Sequence, residues 1–314
     1  MTPITRRPGR AASRGAALLL AMFTVTLVAS LAAAALWQQW RAAEVEAAER
    51  QRAQAHWLLA GALDWARLIL REDARSGGAD HLAEPWAIPL EEARLSTFLA
   101  SGAAGEAGLD RDAFLSGRIL DAQARLNVWN LVEGTTVSEP DRQAFLRLFD
   151  VLALPAGQVD TLAGQLLAAR QDRPSDGGAA VPLLPERVEQ LGWLGLPIAT
   201  VEALRPYVTV LPQRTTVNLN TAPEPVLQAA VPGLEPADAR RLVTERGRSH
   251  FRTVADATRL APAVGAGPST LVGVSSRFFE VEGALRLDEL AVRERSLVQR
   301  DGLTVRTLWR VPAP

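Results

Sequence analysis

The sequence predicts an α+β protein: a long N-terminal helix, transmembrane then amphipathic, packed on an antiparallel sheet, with a large inserted all-α domain. Three observations predict it. Gly15 to Trp40 holds no charged residue. The C-terminal stretch alternates apolar and polar residues with the period of a strand. Between the β segments, Pro140 to about Val264 falls into short helical runs separated by Pro and Gly. Length and composition allow this plan, because 314 residues with 48% hydrophobic and 22% charged side chains suffice for one large or two modest domains and exclude wholesale disorder. The 34 basic residues, all arginine, balance 35 acids, so a net charge of -1 gives no global attraction to nucleic acid or anionic lipid. With no cysteine, disulfides, thiolate nucleophiles, iron–sulfur clusters and cysteine zinc frameworks are excluded.

The N-terminal helix comes first. A helix from Gly15 to Trp40 would run about 39 Å against a hydrocarbon core of about 30 Å. Only Thr24, Thr26 and Ser30 interrupt the apolar run from Ala16 to Trp37, and their hydroxyls can bond back to helix carbonyls. Trp37 and Trp40 stand at interface depth, and Arg6, Arg7, Arg10 and Arg14 precede the run with no acid among them. By the positive-inside rule the N-terminus stays cytoplasmic and everything after Trp40 faces the periplasm of a two-membrane bacterium. A cleaved signal peptide is the competitor, with Ala29-Ser30-Leu31-Ala32 imitating its cleavage site, but its apolar region usually spans about 7–15 residues and this one is longer. Helix continues from Arg41 to about Asp73, where Leu58, Ala62, Trp65 and Ile69 recur at helical spacing and predict the seam against the sheet. Ser76-Gly77-Gly78 ends it, and Asp80-His81-Leu82-Ala83-Glu84-Pro85-Trp86 opens a loop-rich stretch.

The sheet elements follow. Phe114 to Val132 reads as a strand pair or one bent strand, and Phe279–Leu287 and Leu290–Val298 as two more. After the turn Arg300-Asp301-Gly302, the set Leu303, Val305, Thr307, Trp309 and Val311 forms the apolar face of a terminal hairpin strand. The intervening helices are Asp141–Leu154, Gln158–Arg170, Thr200–Val208, Pro223–Ala230, Pro236–Arg246 and Val254–Arg259. A helical block inside a β framework is an uncommon plan.

The junction Arg14-Gly15-Ala16, a basic leader ending in Gly before a wholly apolar helix, resembles the leader of type IV pilins and pseudopilins. The resemblance implies that a prepilin peptidase cuts after Gly15 and that the new amine on Ala16 is methylated. Most such proteins carry Glu five residues into the mature chain, where this one has Leu20. A carboxylate inside a bilayer costs about 2.5–3.5 kcal/mol on insertion scales, so it is kept only where it finds a partner. In pilins that partner is the terminal amine of a neighbouring subunit, and a subunit with no neighbour beyond it needs no Glu. Together with the helical insertion and the runs Asp80 to Trp86 and Val217-Asn218-Leu219-Asn220-Thr221-Ala222, this resembles the type II secretion system protein K family.

That resemblance implies a pilin-like body and a division into leader (1–15), transmembrane helix (16–40), first part of the body (41–132), inserted all-α domain with a helix-hairpin-helix-like segment (133–268) and C-terminal strands (269–314). It also implies a single-pass inner-membrane protein, cytoplasmic at its N-terminus and periplasmic in its body, that caps the pseudopilus tip, helps to start assembly and serves protein export. The implied partners are minor pseudopilins I and J, the prepilin peptidase, the major subunit, and secreted cargo with the outer-membrane secretin. The rivals are a minor pilin of a type IV pilus and a membrane-tethered DNA receptor.

The DNA reading rests on Val217 to Pro223, Val231 to Ala239 and Ser249 to Asp256, where an uptake-type hairpin would offer backbone N–H groups to a phosphate. Glu235 stands where that turn needs its second Gly, and Glu235, Asp238, Glu245 and Asp256 offset Arg240, Arg241, Arg246, Arg248 and Arg252. The expectation is a packing hairpin that binds no nucleic acid, with Asn220 or Thr221 capping the helix near Pro223, Gly233 turning, and Phe251 and Val254 sealing the core. His56, His81 and His250 lie in different elements, and no catalytic motif occurs, so no enzyme is expected. Cofactors are expected to be none, with calcium, which the resemblance associates with the α-domain, left open. Asp172 and Asp176 alone cannot supply six to eight oxygens, and Glu280, Glu282, Asp288 and Glu289 read as a solvated strand face.

Overall fold

A computed structural model describes residues 13–95, 113–171, 181–267, 271–287 and 290–313. The chain divides into two units, Met1–His56 and Trp57–Pro314. Helix α1 (Ser13–Ser76) provides all the described residues of the first unit and the first element of the second. From Gly15 to Trp40 its apolar side chains are exposed, and the helix is long and apolar enough to cross a membrane. Thr24, Thr26 and Ser30 each donate a hydroxyl hydrogen bond of 2.9 Å to the carbonyl three residues earlier, which satisfies them without an outside partner. Arg41 lies over the Trp37 ring at 5.0 Å, a cation–π contact where the apolar run gives way to polar residues.

In the second unit α1 ends where Gly77 and Gly78 take positive φ, and a 3₁₀ turn, Pro85–Ala87, buries Trp86. Strands β1 (Leu90–Arg94) and β2 (Ala113–Asp121) follow. Residues 122–277 then leave the sheet, and β3 (Phe278–Leu287), β4 (Leu290–Asp301) and β5 (Thr304–Pro312) return to it. The order is β1-β2-β3-β4-β5 with every neighbouring pair antiparallel. β2 and β3 pair along their length, from Ala113↔Leu287 to Asp121↔Phe279, so the excursion begins and ends at one end of the ladder. The β4–β5 turn is Gly302-Leu303 with Gly302 at φ 55°, and Arg300 belongs to the strand, not to the turn as expected.

The C-terminal part of α1 packs on the sheet one residue out of the expected register. Leu59, Ala66 and Leu70 are buried and Leu63 packs partly with them, while Trp65 is 43% exposed. Both stripes, 58-62-65-69 and 59-63-66-70, have the same 4-3-4 spacing, so periodicity alone could not choose. The sheet supplies the other half of the choice. Glycines Gly117 and Gly283 face each other in the β2–β3 ladder, and a Cβ on Gly283 would come within 3.2 Å of Leu59 Cδ2, so the absence of side chains lets the helix approach there.

The excursion is mostly helical: α2 (Glu139–Val151), α3 (Gly157–Gln171), α4 (Ile198–Leu204), α5 (Glu224–Ala230), α6 (Pro236–Arg248), α7 (Val254–Leu260) and α8 (Ala263–Ala266), with a 3₁₀ segment at Val188–Leu194. Pro sits in the first turns of α2, α5 and α6, and Thr253 and Asp256 form a capping box on α7. Phe145, Phe149, Leu162, Leu191, Leu227 and Leu242 belong to one buried core. That core also takes Leu126, Val128, Leu131 and Val132, and at the other end Leu271 and Val272. The boundaries expected at 132/133 and 268/269 therefore move outward, because two short parallel strand pairs, Leu126-Asn127 with Val208-Thr209 and Val217-Asn218 with Val272-Gly273, bind the connecting segments to the helical side.

Candidate functional site

Two places concentrate functional expectation. The first is the start of α1, where Gly15, Ala16 and Leu20 are all exposed, Leu20 at 65%. A Cβ built on Gly15 meets nothing within 4 Å, so no packing requires Gly at this position. Packing does not select Leu20 either. Whatever selects these residues acts from outside the described chain.

The second is the junction where residues 122–277 meet the sheet, and here three sequence runs converge. Asp121 closes β2 and is buried, and among the described residues no cation lies against it. Its Oδ1 accepts the Gln123 N–H at 2.7 Å, and its Oδ2 accepts from Thr221 Oγ1 at 2.6 Å, Ser276 Oγ at 2.7 Å and Asn218 Nδ2 at 2.9 Å. Burial raises its pKa, and the four donors offset part of that rise. Asn218 also donates to the Asp80 carbonyl at 3.1 Å, and its Oδ1 accepts the Asn220 N–H at 3.0 Å. Asn220 clamps the Phe251 backbone, accepting its N–H at 2.8 Å and donating to its carbonyl at 2.9 Å. The run 217–222 thus alternates between two environments: Val217, Leu219 and Ala222 enter the helical core, while Asn218, Asn220 and Thr221 fill the polar seam.

This corrects the capping role expected for Asn220 and Thr221. The residue before α5 is Pro223, no side chain caps that helix, and both polar residues are committed to the junction.

Asp80 completes the seam. Its carboxylate accepts the Ser276 N–H at 2.6 Å and pairs with Arg300, which also pairs with Asp73 and donates to the Ser276 carbonyl at 2.8 Å. Arg300 lies over the Phe279 ring at 4.8 Å, and Trp86 meets the same ring edge-on at 5.2 Å. Glu84 accepts from Trp86 Nε1 at 2.7 Å and from the His81 N–H at 2.8 Å. Carboxylate oxygens of Asp73, Asp80 and Glu84 lie within 4.8 Å of one another, but the Arg300 guanidinium already pairs with Asp73 and Asp80, so the group reads as an ion-pair cluster. Desolvation raises both aspartates and Arg300 opposes it.

His81 and His250, expected in separate elements, stack face to face at 3.7 Å. Ala83 N–H donates to His81 Nδ1 at 3.3 Å.

Of the hairpin arginines, Arg246 is half-buried and serves the fold, and Arg240, Arg241 and Arg248 are exposed. Arg246 donates to the Leu219 and Ala222 carbonyls at 2.8 and 2.6 Å, and desolvation lowers its pKa to about 10. Arg248 pairs with Glu245, Arg241 with Asp238, and Arg240 donates to the Pro236 carbonyl. Gly233 turns the hairpin at φ 71° and Phe251 is buried, as expected.

The acids weighed for calcium divide. Asp172, Asp176, Asp288 and Glu289 lie outside the described residues. Glu280 is 6% exposed and pairs with Arg125 and Arg295, and Glu282 pairs with Arg118, so these two do not fit a calcium shell, and Glu280 is not on a solvated face.

Sequence models of one family, both described as type II secretion system (T2SS), protein K, match residues 124–213 and 217–275. The chain is 28% identical to type II secretion system protein K of Pseudomonas aeruginosa, over 96% of this chain and 90% of the relative. It is also 28% identical to the protein of that name from Klebsiella pneumoniae, over 95% of each. Among solved structures, a chain of the GspK-GspI-GspJ complex from the enterotoxigenic Escherichia coli type 2 secretion system shares the fold with a TM-score of 0.67. The two are 21% identical, with 85% of this chain and 98% of that one covered.

Proposed function

The chain belongs to the type II secretion system protein K family, and from that premise we propose that it is a minor pseudopilin capping the tip of the secretion pseudopilus. In this reading the prepilin peptidase cuts after Gly15, the Ala16 amine is methylated, and the helix from 16 to 40 holds the protein in the inner membrane. The N-terminus is cytoplasmic and the body periplasmic. The subunit joins minor pseudopilins I and J, helps to start the filament of major subunits, and meets cargo beneath the secretin. Its role is mechanical, with no catalytic step and no cofactor.

The observation that carries the reading is Leu20. An uncharged helix long enough to span the bilayer presents an exposed leucine where filament subunits of this class keep a carboxylate for the next amine. A subunit built this way can be followed by others below it but offers no acidic partner to one above. Support also comes from the solved relative, a chain found with GspI and GspJ.

The test is coexpression of the tagged full chain with pseudopilins I and J and the major subunit. The proposal expects I and J to co-purify in fixed ratio, and deletion of the gene to abolish secretion while folded cargo accumulates in the periplasm. Purification without I and J, together with undiminished secretion in the deletion strain, would overturn it.

A further inference from the structure

His81 belongs to the loop between α1 and the 3₁₀ turn, on the sheet side of the junction; His250 belongs to the turn between α6 and α7, on the helical side. Their rings lie 3.7 Å apart and within 9° of parallel. Each is anchored by its neighbours. His81 is held by the Asp80 network and by the Glu84 carboxylate on its own N–H, and His250 by the Asn220 clamp on Phe251. Both rings are half-buried, so solvent protons reach them without opening the fold. A metal lies in the plane of the imidazole that binds it, and two parallel rings at this spacing have no common plane, so the pair does not chelate one ion.

We propose that the His81–His250 stack is an acid-sensitive latch between the hairpin of the helical insertion and the loop that follows α1. Two neutral imidazoles stack without cost, whereas two imidazolium charges 3.7 Å apart repel. The surroundings favour the neutral pair. Desolvation lowers the pKa of both rings, and for His250 the neighbouring His81 and Arg252 lower it further. The opposing groups are Asp73 from α1, which favours protonated His81, and Glu84 from the loop, which favours protonated His250. Arg300 from β4 holds Asp73 and blunts its pull. Because the latched state has the lower histidine pKa values, latching is at full strength above about pH 6.5 and weakens as pH falls below it. The nearby carboxyls do not produce this effect between pH 7.5 and 5.5: Asp256, which accepts the Arg252 N–H, has a lowered pKa and stays ionised throughout. Asp73, Asp80 and Asp121 have raised pKa values, so acid favours their folded forms, with the opposite sign.

The test is amide hydrogen exchange on the full chain in detergent at pH 7.5 and 5.5, corrected for intrinsic rates. Exchange at residues 79–83 and 249–252 should rise more than about threefold at pH 5.5, with about a hundredfold as the ceiling for two histidines of ordinary pKa that gain a proton only on opening. His250→Phe keeps an aromatic stack without the charge and should cut the rise to that of one histidine, about tenfold at most. His81→Phe is the second variant, with the same expectation. Equal corrected rates at the two pH values, or an unchanged rise in both phenylalanine variants, would overturn the latch.

Discussion

The start of α1 and the junction around Asp121 break the rule of apolar inside and polar outside in opposite directions. From Gly15 to Trp40 apolar side chains lie exposed, and nothing within the described chain covers them. At the junction Asp80, Asp121, Asn218, Asn220, Thr221 and Ser276 are buried, with hydrogen bonds to one another and to the surrounding backbone. The difference teaches where each region gets its free energy. The exposed run packs on nothing in the described chain and is long and apolar enough to cross a membrane. The buried seam joins an insertion to a sheet, and every donor and acceptor there exists because another residue of the same chain needs it.

The contrast yields predictions of decreasing size. Asp121→Ala removes the buried acceptor that Asn218, Thr221 and Ser276 share, and should cost about 3–5 kcal/mol in denaturant unfolding of the body. A loss below about 1 kcal/mol would show that the seam does not hold the insertion to the sheet. Arg300→Met uncovers two buried carboxylates, with an expected loss of about 2–4 kcal/mol that shrinks at acid pH as Asp73 and Asp80 take up protons. Gly117→Ala places a Cβ 2.8 Å from the Glu282 carbonyl oxygen and should cost about 1–3 kcal/mol.

In the wild type, Asp121 should work against stability as pH rises. Its folded pKa is raised, so its contribution is complete below about pH 3.8 and declines as pH climbs toward the folded value, which Asp121→Asn should flatten in a stability-against-pH curve. At the other region the smallest effect on folding is expected. Gly15→Ala fills empty space and exchanges a poor helix former for a good one, so body unfolding should change by less than about 1 kcal/mol while processing is lost.

Much of the exposed region and the sheet was readable from the sequence. Absence of charge defines the helix, and alternation from Val305 to Val311 predicts the buried face of the last strand, because both patterns are local. The seam of α1 was readable only to within one residue, since Leu59 and Leu63 are flanked by an equally apolar stripe. The junction was barely readable. Asp121 meets Asn218, Thr221 and Ser276 across gaps of 97 to 155 residues, and no local periodicity encodes contacts at that range. The available signal was compositional: three polar residues in a run otherwise bound for the core, and an aspartate at the end of an apolar strand. The stacking of His81 on His250 follows only once that seam has been closed.

The central claim, that the exposed run is the assembly helix of a pseudopilin, is tested most directly by intact mass and N-terminal sequencing. The protein is extracted from membranes after coexpression with a prepilin peptidase, beside Gly15→Ala. The account predicts a chain beginning at N-methyl-Ala16 that is absent from the variant; a chain retaining Met1, or one cut near Ala32 in both, would contradict it.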